Sequence, residues 1–311
     1  MKKIILVILF YPLCLHSISL EEVQKRLNLL SYDKHYKLIS VTKTKSKKKY
    51  SILEVKLESI HPLTKKKLTT DFLWYRPNGA GKRSLLTILP PVLDVTPFDL
   101  IWAAQFAGHH NYNVFVLKYN EKLSDENRPI ADINLSLAAV MTSARLMIDF
   151  AETKREIDTR KIATYGMSLG GILSSIFISI EPRVDAAVLI VAGGNLPEIM
   201  AKSDQGIVAK FRKGRMNAEN LETVEELENK MKETFLFDPL IFAPQRSPED
   251  IYMVIAEDDI SVPTKNQLEL WEAFGRPQEL SIPGKHFPVI LKNLFKHKFI
   301  YNFLNDRLDR E

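Results

Sequence analysis

Gly166-Met167-Ser168-Leu169-Gly170 constrains the folding of this chain more than any other stretch. It separates a short apolar run, Lys161 to Tyr165, from a segment in which Ile172, Leu173, Ile176 and Phe177 recur at helical spacing. The pattern predicts a strand, a sharp turn and a helix, with Ser168 at the apex. A residue at such an apex has a strained backbone. Small residues must flank it, because β-carbons at 166 and 170 would meet the neighbouring strand and helix. Gly171 allows the helix to approach the sheet closely. The N–H of Leu169 falls in the first turn of the helix, where no intrahelical acceptor exists and an oxyanion can use it. The same pentapeptide also occurs as an ordinary turn, so the rest of the chain must decide.

Downstream lie an acid and a base. The apolar strand Ile251 to Ala256 runs into Glu257-Asp258-Asp259-Ile260-Ser261-Val262-Pro263, which puts carboxylates at a strand end. Further on, Leu280-Ser281-Ile282-Pro283-Gly284-Lys285-His286-Phe287 sets a histidine in a loop between a short strand and an apolar helix. A serine hydroxyl is a weak nucleophile at neutral pH. It needs an imidazole to take its proton, and the imidazolium needs a fixed carboxylate on its other nitrogen. Ser168, Asp259 and His286 are the candidates for those roles. Asp259 is preferred among the three neighbouring acids because it falls three residues after the small Ala256, just before the turn closed by Val262-Pro263; Glu257 and Asp258 stay open as rivals.

In the order serine, acid, histidine the sequence resembles the alpha/beta-hydrolase superfamily, nearest to its dienelactone-hydrolase-like and carboxylesterase-like members. The resemblance rests on the three motifs above and spans roughly residues 50 to 305. It implies that Ser168 matches the nucleophile, Asp259 of the D-x-x-V-P segment the acid and His286 of G-x-H the base. It also implies that a second oxyanion donor follows the third strand, read here as Ser84 to Leu89. Where many relatives carry His-Gly, this chain has Pro90-Pro91-Val92-Leu93. Proline has no N–H to donate, so the donor is Val92 or Leu93, with Val92 preferred, beside the N–H of Leu169.

The remaining segments alternate as an α/β fold requires. Tyr50 to Ile60 and Thr69 to Tyr75 read as antiparallel strands joined through His61-Pro62. Then come a helix over 98–108, a buried strand over 113–117, a long helix over 133–151 and a strand over 184–191. Such alternation predicts a mostly parallel sheet with helices on both faces and ligands at the carboxyl ends of strands. One stretch departs from it: 195–237 carries Met200, Ile207, Val208, Phe211 and Met216 and then an acidic helix around 220–234. It reads either as a small helical cap over the site or as a helical pair on the sheet edge, and the resemblance favours the cap. Asp238-Pro239 reads as a turn.

A chain of 311 residues with 45% hydrophobic content can bury one large core, and the net charge of +5 is too small to point to nucleic acid. The lysine runs 47–49 and 65–67 read as solvated edges of early strands. Met1-Lys2-Lys3, the apolar run from Ile4 to Leu15 and Ser17-Ile18-Ser19 have the form of a secretory signal peptide cleaved near Ser19. The expected organisation is therefore a signal peptide over 1–19 and one hydrolase domain over 20–311, secreted or periplasmic, with charge +3 after loss of Lys2 and Lys3. Cys14, the only cysteine, lies in the leader. Membrane contact would arise only through its lipidation, which Leu13 disfavours.

The adjacent His109 and His110 point in different directions and lack an acid at ligand spacing, so they read as helix-end residues. Trp74, Trp102 and Trp271 read as core or pocket-wall aromatics. The expectation that follows is cleavage of a small-molecule ester or similar acyl bond through an acyl-serine, with no metal or organic cofactor. The alternatives are a peptidase or amidase of the same fold and a non-catalytic envelope binding protein that retains it. Against the former, a long N-terminal propeller of the kind found in prolyl-oligopeptidase relatives does not fit in the first 50 residues.

Overall fold

The strand-forming stretches assemble into one nine-stranded sheet in the order β1-β2-β3-β5-β4-β6-β7-β8-β9. These are β1 (Lys37–Ser46), β2 (Tyr50–Ile60), β3 (Lys67–Pro77), β4 (Arg83–Leu89), β5 (Asn113–Lys118), β6 (Ile157–Met167), β7 (Ala186–Ile190), β8 (Ile251–Ala256) and β9 (Gln278–Ile282). The structure is a computed structural model and describes residues 19–91, 95–119, 128–293 and 297–309. Residues 1–18, which hold Cys14 and all but the last residue of the leader expected over 1–19, and the preferred oxyanion donor Val92 lie outside the described residues. β1 to β3 pair antiparallel, as does β3 with β5, and every later pairing is parallel.

Helices cover both faces, as the alternation predicts. The described helices are α1 (Leu20–Leu29), α2 (Pro97–His109), α3 (Asp132–Glu152), α4 (Leu169–Ile180), α5 (Leu196–Lys202), α6 (Gly206–Ala218), α7 (Val224–Thr234), α8 (Pro239–Phe242), α9 (Thr264–Ala273), α10 (His286–Asn293) and α11 (His297–Leu308). Alternate residues of the buried strands divide the core in two. Phe115 and Leu117 of β5 pack with Phe150 of α3 and Phe177 of α4, whereas Val114 and Val116 pack with Trp102 and Phe106 of α2 and Phe303 of α11. α3 is, among the described residues, the helix long and apolar enough to cross a membrane, and it is spent on this core. Trp74 and Trp102 are buried in it too, while Trp271 packs at its margin.

Three features depart from the sequence reading. β1 adds an edge strand ahead of the first predicted one, so Arg83–Leu89 is the fourth strand and Ile251–Ala256 the eighth. Its side chains are almost all exposed, so no apolar alternation announces it; lysines at 37, 43 and 45 keep that edge soluble. The acidic helix begins at Val224 rather than near 220, because Thr223 and Glu226 form a reciprocal capping box there. Asp238-Pro239 is the start of α8, not merely a turn. The Asp238 carboxylate accepts from the backbone N–H groups of Leu240 at 2.9 Å, Asn195 at 3.1 Å and Leu196 at 2.5 Å. Residues 195 and 238 bound the helical insertion α5 to α7, so one buried side chain clasps both of its ends. Burial raises the affinity of Asp238 for a proton, and the three N–H bonds oppose that.

The other end of the molecule is held by charge. Arg183, just past α4, reaches Asp149 at 2.7 Å, Glu152 at 2.9 Å and Glu181 at 2.8 Å, and donates to the Tyr32 hydroxyl at 3.1 Å. Arg145 of α3 donates to the carbonyl of Leu30 at 2.8 Å. The segment after α1 is thereby docked onto the ends of α3 and α4.

A β-carbon at Gly166 would collide with the backbone of Gly170 and Gly171, and one at Gly170 with the carbonyl of Leu89 and the backbone of Pro90. At Gly206, the first residue of α6, a β-carbon would meet nothing within 4 Å. Gly170→Ala is therefore expected to destabilise by about 3 kcal/mol or more through backbone displacement. Gly206→Ala should stabilise by a few tenths to about 1 kcal/mol by restricting the unfolded chain. Chemical denaturation of the two purified variants measures both; equal stability would remove the steric account of the turn.

Candidate active site

Parallel strands deliver their carboxyl ends to one edge of the sheet, and the three sequence-predicted side chains all arrive there. Ser168 follows β6 directly, as the pentapeptide predicts. It has φ 53° and ψ −126°, a region that side-chain-bearing residues seldom occupy, and its N–H bonds the carbonyl of Ile190 at 2.8 Å. The strain is local and the two flanking glycines accommodate it, so Ser168 stands clear at the start of α4.

Asp259 and His286 meet because the β8–β9 ladder continues past the strands. β8 pairs with β9 up to Ala256 opposite Ile282. Beyond it, the N–H of Glu257 donates to the carbonyl of Ile282 at 3.1 Å, and that of Asp258 to the carbonyl of Gly284 at 3.2 Å. Gly284 has φ 134°, a conformation that favours glycine. His286 Nδ1 lies 2.7 Å from Asp259 Oδ2, and His286 Nε2 lies 2.9 Å from Ser168 Oγ. A carboxylate only accepts, so Nδ1 carries the proton and Nε2 is left to accept from the serine hydroxyl. Of the three neighbouring acids it is Asp259, 3% exposed, that reaches His286, whereas Glu257 and Asp258 are exposed.

Four donors converge on the Asp259 carboxylate. Besides His286, the N–H groups of Ser261 and Val262 donate to Oδ1 at 2.8 and 3.1 Å, and Gln267 Nε2 donates to Oδ2 at 2.8 Å. Gln267, fully buried on α9, was not legible in the sequence. It also accepts from the N–H of Ala256 at 3.0 Å and donates to the carbonyl of Val262 at 2.8 Å, joining the end of β8 to the acid turn. Nothing in its spacing separates it from any other helical glutamine; only the turn folding back over α9 gives it partners.

The Leu169 N–H lies in the first turn of α4, as expected of an oxyanion donor. The approach of the facing loop is fixed on its described side: Leu89 and Pro90 run against Gly170, and the Tyr119 hydroxyl donates to the carbonyl of Pro90 at 2.7 Å. Among the described residues no group of three or more histidine, cysteine, aspartate or glutamate side chains could hold a metal ion. His109 ends α2, and His110 caps it while stacking on Tyr301 at 3.8 Å.

Ser168 and His286 open into a pocket of about 410 Å³. Its walls come from the start of α4, the start of α2, α10 and the helical insertion, which supplies Met200, Ile207, Val208 and Phe211. The cap expected over 195–237 thus reaches the site through α5 and the start of α6, while no described residue of α7 lines the pocket. α2 is held in place by a capping box between Thr96 and Asp99. Burial pushes the Asp99 carboxyl up to about 6, against hydrogen bonds from Thr96 that favour its ionised form.

No protein-family model matches the chain, and no curated protein sequence does. Solved structures do resemble it. An acetyl xylan esterase from Paenibacillus sp. R4 superposes with a TM-score of 0.68 at 14% identity, covering 93% of both chains. A cold-adapted esterase from an Arctic intertidal metagenomic library gives a TM-score of 0.57 at 17% identity over 90% of this chain and all of its own. The acylaminoacyl peptidase of Pyrococcus horikoshii matches with a TM-score of 0.57 at 10% identity, over 89% of this chain and half of the peptidase. The architecture is that of the alpha/beta hydrolases.

Two outcomes are expected. Gln267→Leu removes both donors and the acceptor without changing bulk much. It should cost about 1–3 kcal/mol of stability and, by loosening Asp259, lower kcat about tenfold or more with KM little changed, as read by steady-state kinetics on any ester that is turned over. Asp99 should make stability fall as pH rises: between about 4 and 6 the unfolded chain ionises while the folded one resists. Asp99→Asn abolishes that titration, so its advantage over the parent should grow across this window, level off above it and reach up to about 3 kcal/mol. Urea unfolding at pH 4, 5, 6 and 8 measures it, and a pH-independent difference would contradict the assignment.

Proposed function

We propose that this protein is a serine hydrolase that cleaves a carboxylic ester through an acyl-serine intermediate. The observation that carries the reading is the continuous chain Ser168 Oγ, His286 Nε2, His286 Nδ1 and Asp259 Oδ2, with contacts of 2.9 and 2.7 Å, opening onto a pocket. The esterase neighbours support the fold that hosts it.

Ser168 Oγ attacks the ester carbonyl carbon while its proton passes to His286 Nε2. Asp259 stabilises the imidazolium that forms. The carbonyl oxygen becomes an oxyanion facing the Leu169 N–H, with the second donor assigned to the loop containing Val92. Collapse breaks the bond to the alkoxide, which leaves as an alcohol with the proton from Nε2. A water then attacks the acyl-serine with the same base, releasing the carboxylic acid and restoring Ser168. No redox step or external co-reactant other than water enters. The leader over 1–19 fits delivery of this activity to the cell envelope or beyond.

The test is covalent and kinetic. A fluorophosphonate probe should label the parent at Ser168 and fail to label Ser168→Ala, whose ester turnover should drop on the order of 10⁴- to 10⁶-fold with the fold intact by circular dichroism. Asp259→Asn should lose about 10⁴-fold near neutral pH. A folded Ser168→Ala variant with undiminished turnover would leave the mechanism untenable.

A further inference from the structure

The pocket bears a chemistry that the triad alone does not specify. Among the described residues no aspartate, glutamate, lysine or arginine lines it. A charged substrate would enter without a counter-ion, and the cost of stripping water from an unpaired charge would oppose it. Several of the polar side chains in the wall have a partner within the protein. Thr96 Oγ1 donates to Asp99 at 2.6 Å, Gln205 Nε2 donates to Ser261 Oγ at 2.9 Å, and Ser261 Oγ donates to Asp204 at 2.6 Å. Ser203 Oγ accepts from the N–H of Gln205 at 3.3 Å. A substrate rich in hydroxyls would lose its water and find few partners in return.

What remains is apolar. Ile207, Val208 and Phe211 fall on one face of α6 at helical spacing and meet Met200 and Ile199 of α5, with Ile172 of α4 on the opposite wall. Phe98 and Phe287 stand edge to face at 5.7 Å beside the site. The Gln205–Ser261–Asp204 link also ties the α5–α6 turn to the loop that carries Asp259, so this wall keeps a fixed distance from the reacting atoms. A volume of about 410 Å³ lies in the lower part of the range used for small organic ligands, larger than an acetyl group needs.

The geometry points to an ester with an uncharged, unbranched aliphatic acyl chain of about four to eight carbons as the substrate, with the α6 face holding the chain and Phe211 limiting its length. The assignment rests on the serine-hydrolase reading above and goes beyond it. It also sets this chain apart from the acetyl xylan esterase it superposes on, an enzyme named for acetylated xylan.

The experiment compares 4-nitrophenyl acetate, butyrate, hexanoate, octanoate and decanoate with an acetylated xylo-oligosaccharide, and in parallel 4-nitrophenyl alkylphosphonates of rising chain length as covalent probes of Ser168. Each buried methylene should raise kcat/KM about fourfold until the pocket is filled, so hexanoate should exceed acetate by roughly two orders of magnitude, with a plateau or fall beyond octanoate. Phosphonate labelling rates should follow the same order. Phe211→Ala should move the optimum at least two carbons longer. Val208→Asp, at a half-buried position that tolerates change better, should lower hexanoate turnover at least tenfold more than acetate turnover. Ser168 labelled at rates independent of chain length, or acetate or the acetylated oligosaccharide preferred over hexanoate, overturns the chain-length assignment and leaves the hydrolase reading standing. Absence of both labelling and turnover with every member overturns the two together.

Discussion

Two glycines without room for a β-carbon hold this molecule's chemistry in place. Gly166 packs against the backbone of Gly170, and Gly170 packs against the end of β4. That double contact brings three chain segments closer than any side chain would permit: the end of β6, the start of α4 and the loop after β4. The strained backbone at Ser168 persists because its neighbours leave it no relaxed alternative, a cost met by the packing of α4 through Leu173, Ile176 and Phe177 into the core beneath. The same approach sets where the Leu169 N–H points and where Pro90 must pass. An apex built this way is stiff, which suits a site meant to meet a developing charge without rearranging.

Around this fixed point the protein separates polar from apolar tasks by direction. On the sheet side, the Asp259 carboxylate is surrounded by donors from a turn, a helix and the histidine it orients. On the opposite side, the cap presents isoleucine, valine, methionine and phenylalanine. Ser168 sits at the boundary between the two. On the apolar side, Gln205 and Ser261 are hydrogen-bonded to each other.

Much of this is legible in the sequence, and the reasons are local. The Gly166 to Gly170 pentapeptide, the run into Asp259 and the loop around His286 each carry their own turn chemistry, so their positions at strand ends followed from sequence. β1 was missed because an exposed edge strand has no buried face to impose alternation. Gln267 was missed because its partners come from a turn folding back across α9. Spacing from Ala256 favours Asp259 but leaves Glu257 and Asp258 open, because the backbone bonds from residues 257 and 258 to residues 282 and 284, which continue the sheet by two steps with both of those side chains exposed, join segments far apart in the chain. Asp238 was read as a turn because nothing local shows that it also reaches the start of the insertion, 43 positions back.

Because a single carboxylate gathers the two strands of chain that enter and leave the cap, the cap is closed at its neck. A segment closed in this way burdens the rest of the fold little as it lengthens, since the entropy of a loop grows only slowly once its ends are joined. The segment is not a separable unit all the same: Leu196, Ile199, Phe211, Leu227 and Met231 pack into the same core as α3 and α4, so the clasp sets where the chain enters and leaves while the core sets what it can hold.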